Sequence, residues 1–232
     1  MKIKCVTFDF DSTLVNLTDF VDWKRAQQLI IQTYLKHRVP ESVVKQHGKD
    51  GLLTLLNGVY EELLRRFSLD EARKIQSEAY DAMEECEAEG THKAKMISGC
   101  LEALRWLKGK GMKIGIASSN SEKVVKEILK LHNLNSFIDV VVARDVNYRL
   151  KPYPDQFLLC LEKMGCKTKN SVAVGDSYGD MVAAKKAGIL VIGISTGWAS
   201  VEKLAAAGAD KIIKGLHELP ETILNLDPSL KR

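Results

Sequence analysis

The stretch Ile3-Lys4-Cys5-Val6-Thr7-Phe8-Asp9-Phe10-Asp11-Ser12-Thr13-Leu14 decides how this chain is read. Its first six residues, IKCVTF, have the β-branched, apolar composition of a short buried strand. After Phe8 two carboxylates arrive at alternate positions. Residues i and i+2 of an extended segment point the same way, so Asp9 and Asp11 are presented together at a strand end. Adjacent carboxylates repel each other, and a divalent cation relieves the repulsion. Hard oxygen donors suit Mg²⁺, which keeps waters and takes one or two carboxylates together with substrate phosphate oxygens. A calcium loop of the EF-hand type needs Gly at its sixth position and Glu at its twelfth. Counted from Asp9 these are Leu14 and Phe20, so that reading fails.

Beyond this stretch the pattern is helical up to Gly90. Helices are expected over residues 19–38 (ended by Pro40), 51–67 and 70–87, the last capped by Ser68 or Asp70. After Gly90 helices and strands alternate: helix 99–108 and strand 113–117, helix 121–131 and strand 138–143, helix 154–164 and strand 171–174, helix 179–187 and strand 190–194. Apolar strands alternating with helices predict an α/β protein, a Rossmann-like doubly wound parallel sheet covered on both faces. The first strand belongs to that sheet by pattern, yet a helical segment separates it from the others. The expected organisation is an α/β catalytic core of residues 1–15 and 93–232 with an inserted α-helical cap domain of residues 16–92. The segment after Leu226 is expected to fray.

Bulk properties exclude several classes. The 232 residues are 45% hydrophobic and 28% charged, ordinary for a globular chain that buries a core without staples. Net charge is +4, and acidic and basic residues are interleaved without a basic block, so no nucleic-acid partner is expected. No apolar run approaches the roughly 20 residues of a membrane span, and no signal-peptide core precedes the first strand. A cytoplasmic location with no membrane partner is the expectation. Cysteines stand at positions 5, 86, 100, 160 and 166, an odd number with no C-x-x-C spacing. They are expected to be reduced thiols, not a disulfide framework or a structural zinc site.

Ligands of such sheets bind at the carboxyl ends of the strands. Ser118-Ser119-Asn120 follow KIGIA, where a hydroxyl before a helix can donate to a phosphate oxygen. Ser118, first after the strand, is the preferred donor, although Ser and Asn at such places also serve as N-caps. In Lys151-Pro152-Tyr153-Pro154-Asp155, Pro152 holds Lys151 extended and Pro154 suits a first helical turn, so the lysine is a fixed charge. In Gly175-Asp176-Ser177-Tyr178-Gly179-Asp180, helix capping accounts for one aspartate; a cation over the sheet accounts for both Asp176 and Asp180. The segment Gln46-His47-Gly48-Lys49-Asp50-Gly51 reads as a solvated turn between helices; folded over the site, it would offer His47 and Lys49 to the substrate. Trp23 and Trp198 read as packing residues. Walker A and G-x-G-x-x-G patterns are absent, which disfavours nucleotide-cofactor enzymes.

Taken together, these segments resemble the haloacid dehalogenase-like hydrolase superfamily. D-F-D-S-T-L resembles its first motif, Ser118 the hydroxyl of the second, Lys151 the lysine of the third and G-D-S-Y-G-D the acidic fourth. K-P-Y-P-D and G-I-S-T-G-W are similar to the phosphoglycolate phosphatase-like branch, which carries a helical cap between the first two motifs. The resemblance implies a Mg²⁺-dependent phosphatase of a small phosphorylated metabolite, active as a monomer or homodimer. It makes Asp9 the nucleophile and Asp11 the general acid/base. Asp9, the Asp11 backbone carbonyl and Asp176 would hold Mg²⁺, Asp180 would support that site, and Ser118 and Lys151, flanked by Ser119 and Asn120, would hold the phosphoryl group. Two departures narrow the reading. Ser12 replaces the commoner glycine, as in phosphoserine phosphatases, but Thr18 stands near where those enzymes carry an acid. The dehalogenases lack the second aspartate, which is present here as Asp11. The rival readings are a phosphomutase of the β-phosphoglucomutase type and a non-catalytic binding protein on the same scaffold; retention of every acid, hydroxyl and lysine argues against the second.

Overall fold

In the computed structural model, which describes residues 2–196 and 199–231, β1 (Cys5–Phe8) lies inside a six-stranded sheet. β2 (Lys113–Ala117) and β3 (Val140–Val142) extend it on one side. β4 (Ser171–Gly175), β5 (Leu190–Ile194) and β6 (Lys211–Ile213) extend it on the other. The order is β3-β2-β1-β4-β5-β6, and every pairing is parallel. The winding direction reverses at β1, and such a switch point opens a crevice at the carboxyl ends of the strands. Asp9 stands there.

Alternation along the strands divides the core into two layers. Val6, Phe8, Ile114, Ile116, Val172 and Val174 pack with α5 (Cys100–Gly109), α6 (Glu122–Leu131) and α10 (Leu219–Leu226). Cys5, Ala117, Ala173 and Val191 pack on the other face with α7 (Asp155–Met164), α8 (Tyr178–Lys186) and α9 (Val201–Ala206). Each fully buried Leu, Ile, Val or Phe contributes about 1.5–3 kcal/mol, so the sheet is anchored from both sides.

Between β1 and α5 the chain is helical: α1 (Trp23–Lys36), α2 (Glu41–Gly48), α3 (Leu52–Arg66) and α4 (Leu69–Gly90). Asp22 and Ser68 cap α1 and α4 by accepting from Arg25 N and Glu71 N. These helices enclose an apolar cluster of their own that includes Ile30, Tyr34, Leu56, Leu63 and Ile75. α2 was not expected. Pro40, read only as a stop, also stands as the residue before a new helix, so His47 is helical and the turn shrinks to residues 49–51.

Three further expectations change. α9, β6 and α10 complete a C-terminal stretch that carried no assignment. The tail beyond Leu226 does not fray: Asp227 is 1% exposed and accepts from Ile3 N at 2.6 Å, tying the two ends of the chain together. Cys5 and Cys166 form a disulfide, whereas reduced thiols were expected; the fold brings their Cα atoms to 6.5 Å across a separation of 161 residues. Cys86, Cys100 and Cys160 are free and buried. Among the described residues no helix is long and apolar enough to cross a membrane. Trp198 lies outside the described residues.

After Phe8 the chain turns sharply, with Leu14 N and Val15 N both donating to Phe10 O at 2.9 and 3.2 Å. Ser12 takes φ +63°, the left-handed region that glycine enters at least cost. The Ser12 O accepts from Thr196 Oγ1 at 2.8 Å. Ser12→Gly is expected to preserve any activity and to change unfolding free energy by less than about 1 kcal/mol, because relief of φ strain and gain of chain entropy oppose. Ser12→Val is expected to cost about 1–3 kcal/mol. Denaturant melts of the two variants check both values.

Candidate active site

Four segments at the carboxyl ends of β1, β2 and β4 and before α7 converge on one crevice. Lys151 is its hub. The side chain is only 5% exposed and donates to Asp9 Oδ1 and, at 2.6 Å, to Asp180 Oδ1. Burial by itself would lower the pKa of Lys151; the charges of Asp180 and Asp9 outweigh it and hold the ammonium above its ordinary value. The lysine is therefore a permanent cation wedged between two carboxylates. The Lys151–Pro152 peptide is cis. Asn57 of α3 fixes this segment from the other side: its Nδ2 donates to Leu150 O at 3.2 Å and its Oδ1 accepts from Leu150 N at 3.1 Å.

Asp180 is positioned by the start of α8. Ser177 caps that helix, and Asp180 Oδ2 accepts from Ser177 N at 3.1 Å, closing a reciprocal capping box. The close approach of α8 to β4 requires Gly175: a Cβ there would lie 2.5 Å from Asp180 Cβ. Capping and site chemistry thus use the two oxygens of one carboxylate, a combination that the sequence reading treated as alternatives.

Asp9, Asp176 and Asp180 each offer an oxygen, all within 4.8 Å of one another, and all three residues are buried. Burial pushes the Asp9 carboxyl up to about 6 despite Lys151. It pushes Asp176 up to about 8, with the charges of Asp9 and Asp180 adding to the effect. With all three ionised, as a bound cation would hold them, Lys151 would offset one negative charge and leave two, the charge of one divalent cation. The donor set, hard oxygens only, fits Mg²⁺ and not a soft-metal site. Thr13 Oγ1 donates to Asp176 Oδ1 at 3.5 Å, the outer limit of a hydrogen bond.

The Asp11 carboxylate stands outside this trio. Its Oδ1 accepts from Thr18 N at 2.9 Å, and burial pushes its pKa up to about 7 against that hydrogen bond. Thr18 Oγ1 accepts from Trp23 Nε1 at 2.8 Å, so the first helix of the inserted segment is linked to Asp11 through one residue.

A cavity of about 210 Å³ opens over these groups, lined by Asp9, Asp11, Ser119, Asn120, Lys151 and Asp180. Its other wall is Trp23, Leu52, Leu53 and Met83 from the helical segment. A larger recess of about 640 Å³ lies at the opposite edge of the sheet, around Lys4, Lys113 and Cys166. It holds no acid–base constellation, so size does not mark the site. Ser118 is fully buried just behind the cavity wall and donates to Asn120 Oδ1 at 2.9 Å. Ser119 lines the wall, and its buried Oγ has no hydrogen-bond partner among the described residues.

One sequence expectation is corrected. His47 and Lys49 do not line the cavity: the ring of His47 packs against Gly58, and Lys49 is exposed just past the end of α2. Trp23 packs in the helical cluster, as expected, but also forms part of the cavity wall. Trp23, Leu52, Leu53 and Met83 were legible only as apolar helix positions, which point equally to a core and to a cavity wall.

Known proteins resemble this chain in sequence and in fold. The profile of the haloacid dehalogenase-like hydrolase family matches residues 6–194. Pyrophosphatase PpaX of Bacillus mycoides (strain KBAB4) is 28% identical over 224 residues, 94% of this chain and 96% of that one. The crystal structure of a predicted phosphatase from Clostridium acetobutylicum superposes with a TM-score of 0.68 at 24% identity, covering 97% of this chain and all of that one, a likeness of fold. A candidate β-phosphoglucomutase from Thermotoga maritima gives 0.62 at 25% identity over 97% of this chain and 100% of its own. The chain belongs to the haloacid dehalogenase-like hydrolase family.

Proposed function

We propose that this hydrolase is a Mg²⁺-dependent phosphatase that passes the phosphoryl group of a small phosphorylated metabolite to Asp9 and then to water. The observation that carries the proposal is the buried Lys151, shared by Asp9 and Asp180 at the floor of a cavity that Asp11 also lines. The helical segment acts as the cap of that cavity, and the cytoplasm, where ionised metabolites are retained, is the proposed location.

Phosphoryl transfer needs alignment and charge stabilisation more than covalent assistance from the protein. Asp9, Asp176 and Asp180 would hold Mg²⁺, which when bound supplies charge neutralisation at the phosphoryl oxygens. Lys151 adds a fixed positive charge beside the Asp9 oxygen, drawing the anionic substrate to a carboxylate that would otherwise repel it. The Asp9 carboxylate attacks phosphorus, and the bond to the leaving oxygen breaks. Asp11, near neutral pKa and held by Thr18 N, gives its proton to that oxygen and then takes one from the water that attacks the acyl phosphate. The orphaned Ser119 Oγ and the Ser118 hydroxyl, once turned from Asn120, are the donors for the transferring group.

The cap wall bears on substrate choice. PpaX relatives are named as pyrophosphatases, but the wall facing the reacting centre is Trp23, Leu52, Leu53 and Met83, with Lys151 the one basic side chain among the described lining residues. An apolar wall favours a monoester with a neutral organic leaving group over a second phosphate, whose charge it would desolvate without a partner. Its roughly 210 Å³ is also below the usual range of about 300–1,000 Å³ for small-molecule pockets, so it leaves little room for the reorientation of a sugar bisphosphate that a mutase needs.

Two measurements test these points. Hydrolysis of p-nitrophenyl phosphate is expected with Mg²⁺, with loss of activity on chelation and at least about 10³-fold lower kcat in Asp9→Asn. Equal rates in wild type and Asp9→Asn would exclude the mechanism. In the second, kcat/KM for the aromatic monoester is expected to exceed that for inorganic pyrophosphate by about tenfold or more, and Leu53→Lys to narrow the gap. A preference for pyrophosphate in the wild type would contradict the reading of the cap wall.

A further inference from the structure

The cap meets the core at a buried ion pair that the phosphatase mechanism does not use. Glu87, near the end of α4, is 0% exposed, and the Arg144 side chain, from the loop after β3, is 1% exposed. The pairing is bidentate, with Arg144 Nη1 and Nη2 donating to Glu87 Oε1 and Oε2 at 2.9 and 3.0 Å. Arg144 also stacks over the Tyr80 ring at 5.3 Å and donates to Tyr80 O, which ties it to α4 a second time.

Both members of the pair grip the segment that follows β2. Glu87 Oε1 accepts from Asn120 Nδ2 at 3.0 Å, and Oε2 accepts from Ser121 N at 3.1 Å. Arg144 Nη1 donates to Ser119 O at 2.8 Å, and Arg144 N donates to Asn120 O at 2.9 Å. With its amide nitrogen held by Glu87, Asn120 presents Oδ1 to the Ser118 hydroxyl and its backbone N to Ser118 Oγ. Four hydrogen bonds therefore fix three consecutive residues, and two of the four come from a cap residue. A salt bridge serving only to join two layers would need none of them. Planar, doubly bonded pairs of this kind specify orientation as well as attraction.

We propose that Glu87, through Arg144 and Asn120, is a positioning residue that sets the geometry of the phosphoryl-binding hydroxyls of Ser118 and Ser119 and makes it depend on the seating of the cap. The inference rests on the phosphatase reading. Glu87 touches neither substrate nor reacting atoms; it holds the segment that does. Among the described residues, Asp9, Asp176 and Asp180 on the metal side share no hydrogen bond with this network, so phosphate binding and metal binding should respond differently to its loss.

The experiment compares wild type, Glu87→Gln and the double variant Glu87→Gln/Arg144→Met, which leaves no buried unpaired charge if the single variant folds poorly. Turnover of p-nitrophenyl phosphate gives KM, the inhibition constant of inorganic phosphate and the Mg²⁺ activation constant; a thermal melt reports folding. Both variants are expected to raise KM and the phosphate inhibition constant by about tenfold or more, the scale of a displaced hydrogen bond to a charged group. The Mg²⁺ activation constant should stay within about twofold of wild type. A folded double variant with wild-type KM and phosphate inhibition overturns the inference. So does a Mg²⁺ constant that moves in step with phosphate affinity, which marks general loosening. Absence of Mg²⁺-dependent turnover in the wild type is the separate failure of the phosphatase reading.

Discussion

Lys151 stands between Asp9 and Asp180 in a position nearly closed to water, and the site is organised around that charge. Burial, with the charges of the neighbouring carboxylates adding to it, drives Asp9 and Asp176 toward the protonated form and raises their pKa values. One permanent cation reduces the repulsion without removing the negative balance. On the proposed reading a doubly charged ion would complete it, and an incoming phosphate would meet positive charge before it met the Asp9 carboxylate. Losing Lys151 would change the charge of the site as well as one contact, which is why the fold holds it from several directions: Asn57 behind, Asp9 and Asp180 in front, and the ring of Phe157 5.9 Å from its Nζ.

The fold supplies this arrangement through the reversal of strand order at β1. Adjacent parallel strands bring Asp9 and Asp176 to the same edge because β1 and β4 are paired in register from Cys5 with Ser171 to Phe8 with Val174. The inserted helices then do two physical tasks. They present an apolar wall to the cavity, and they reach polar side chains into the core, among them Asn57 toward Leu150, Tyr60 toward Val146 and Glu87 toward Arg144. The helical segment is therefore fixed to loops that border the cavity.

Much of this was legible in the sequence, for a physical reason. Residues directly after apolar strands are confined to one edge of a parallel sheet, so Asp9, Ser118, Lys151 and Asp176 could be placed together without coordinates. The helical insertion was legible because strand periodicity disappears for some seventy residues, yet α2 was hidden behind Pro40 and a polar glycine-bearing run. β6 and α9 are short enough that periodicity carries little information. His47 and Lys49 misled because charge in a loop says nothing about where the loop points. The wall residues Leu52, Leu53 and Met83, and the buried pair of Glu87 with Arg144, depend on side chains from distant segments meeting, as does the union of Cys5 with Cys166. Glu87 in particular reads as one acid among many in α4; only its depth distinguishes it.

The central claim is that the Asp9 carboxylate becomes an acyl phosphate during turnover. Acid quenching in the presence of substrate and Mg²⁺, followed by borohydride reduction and peptide mass analysis, tests this directly, because borohydride converts an aspartyl phosphate to homoserine. Homoserine at position 9, dependent on substrate and absent from the other aspartates, is the predicted result. Turnover with residue 9 unmodified, or with the modification at Asp11 or Asp176, would contradict the account.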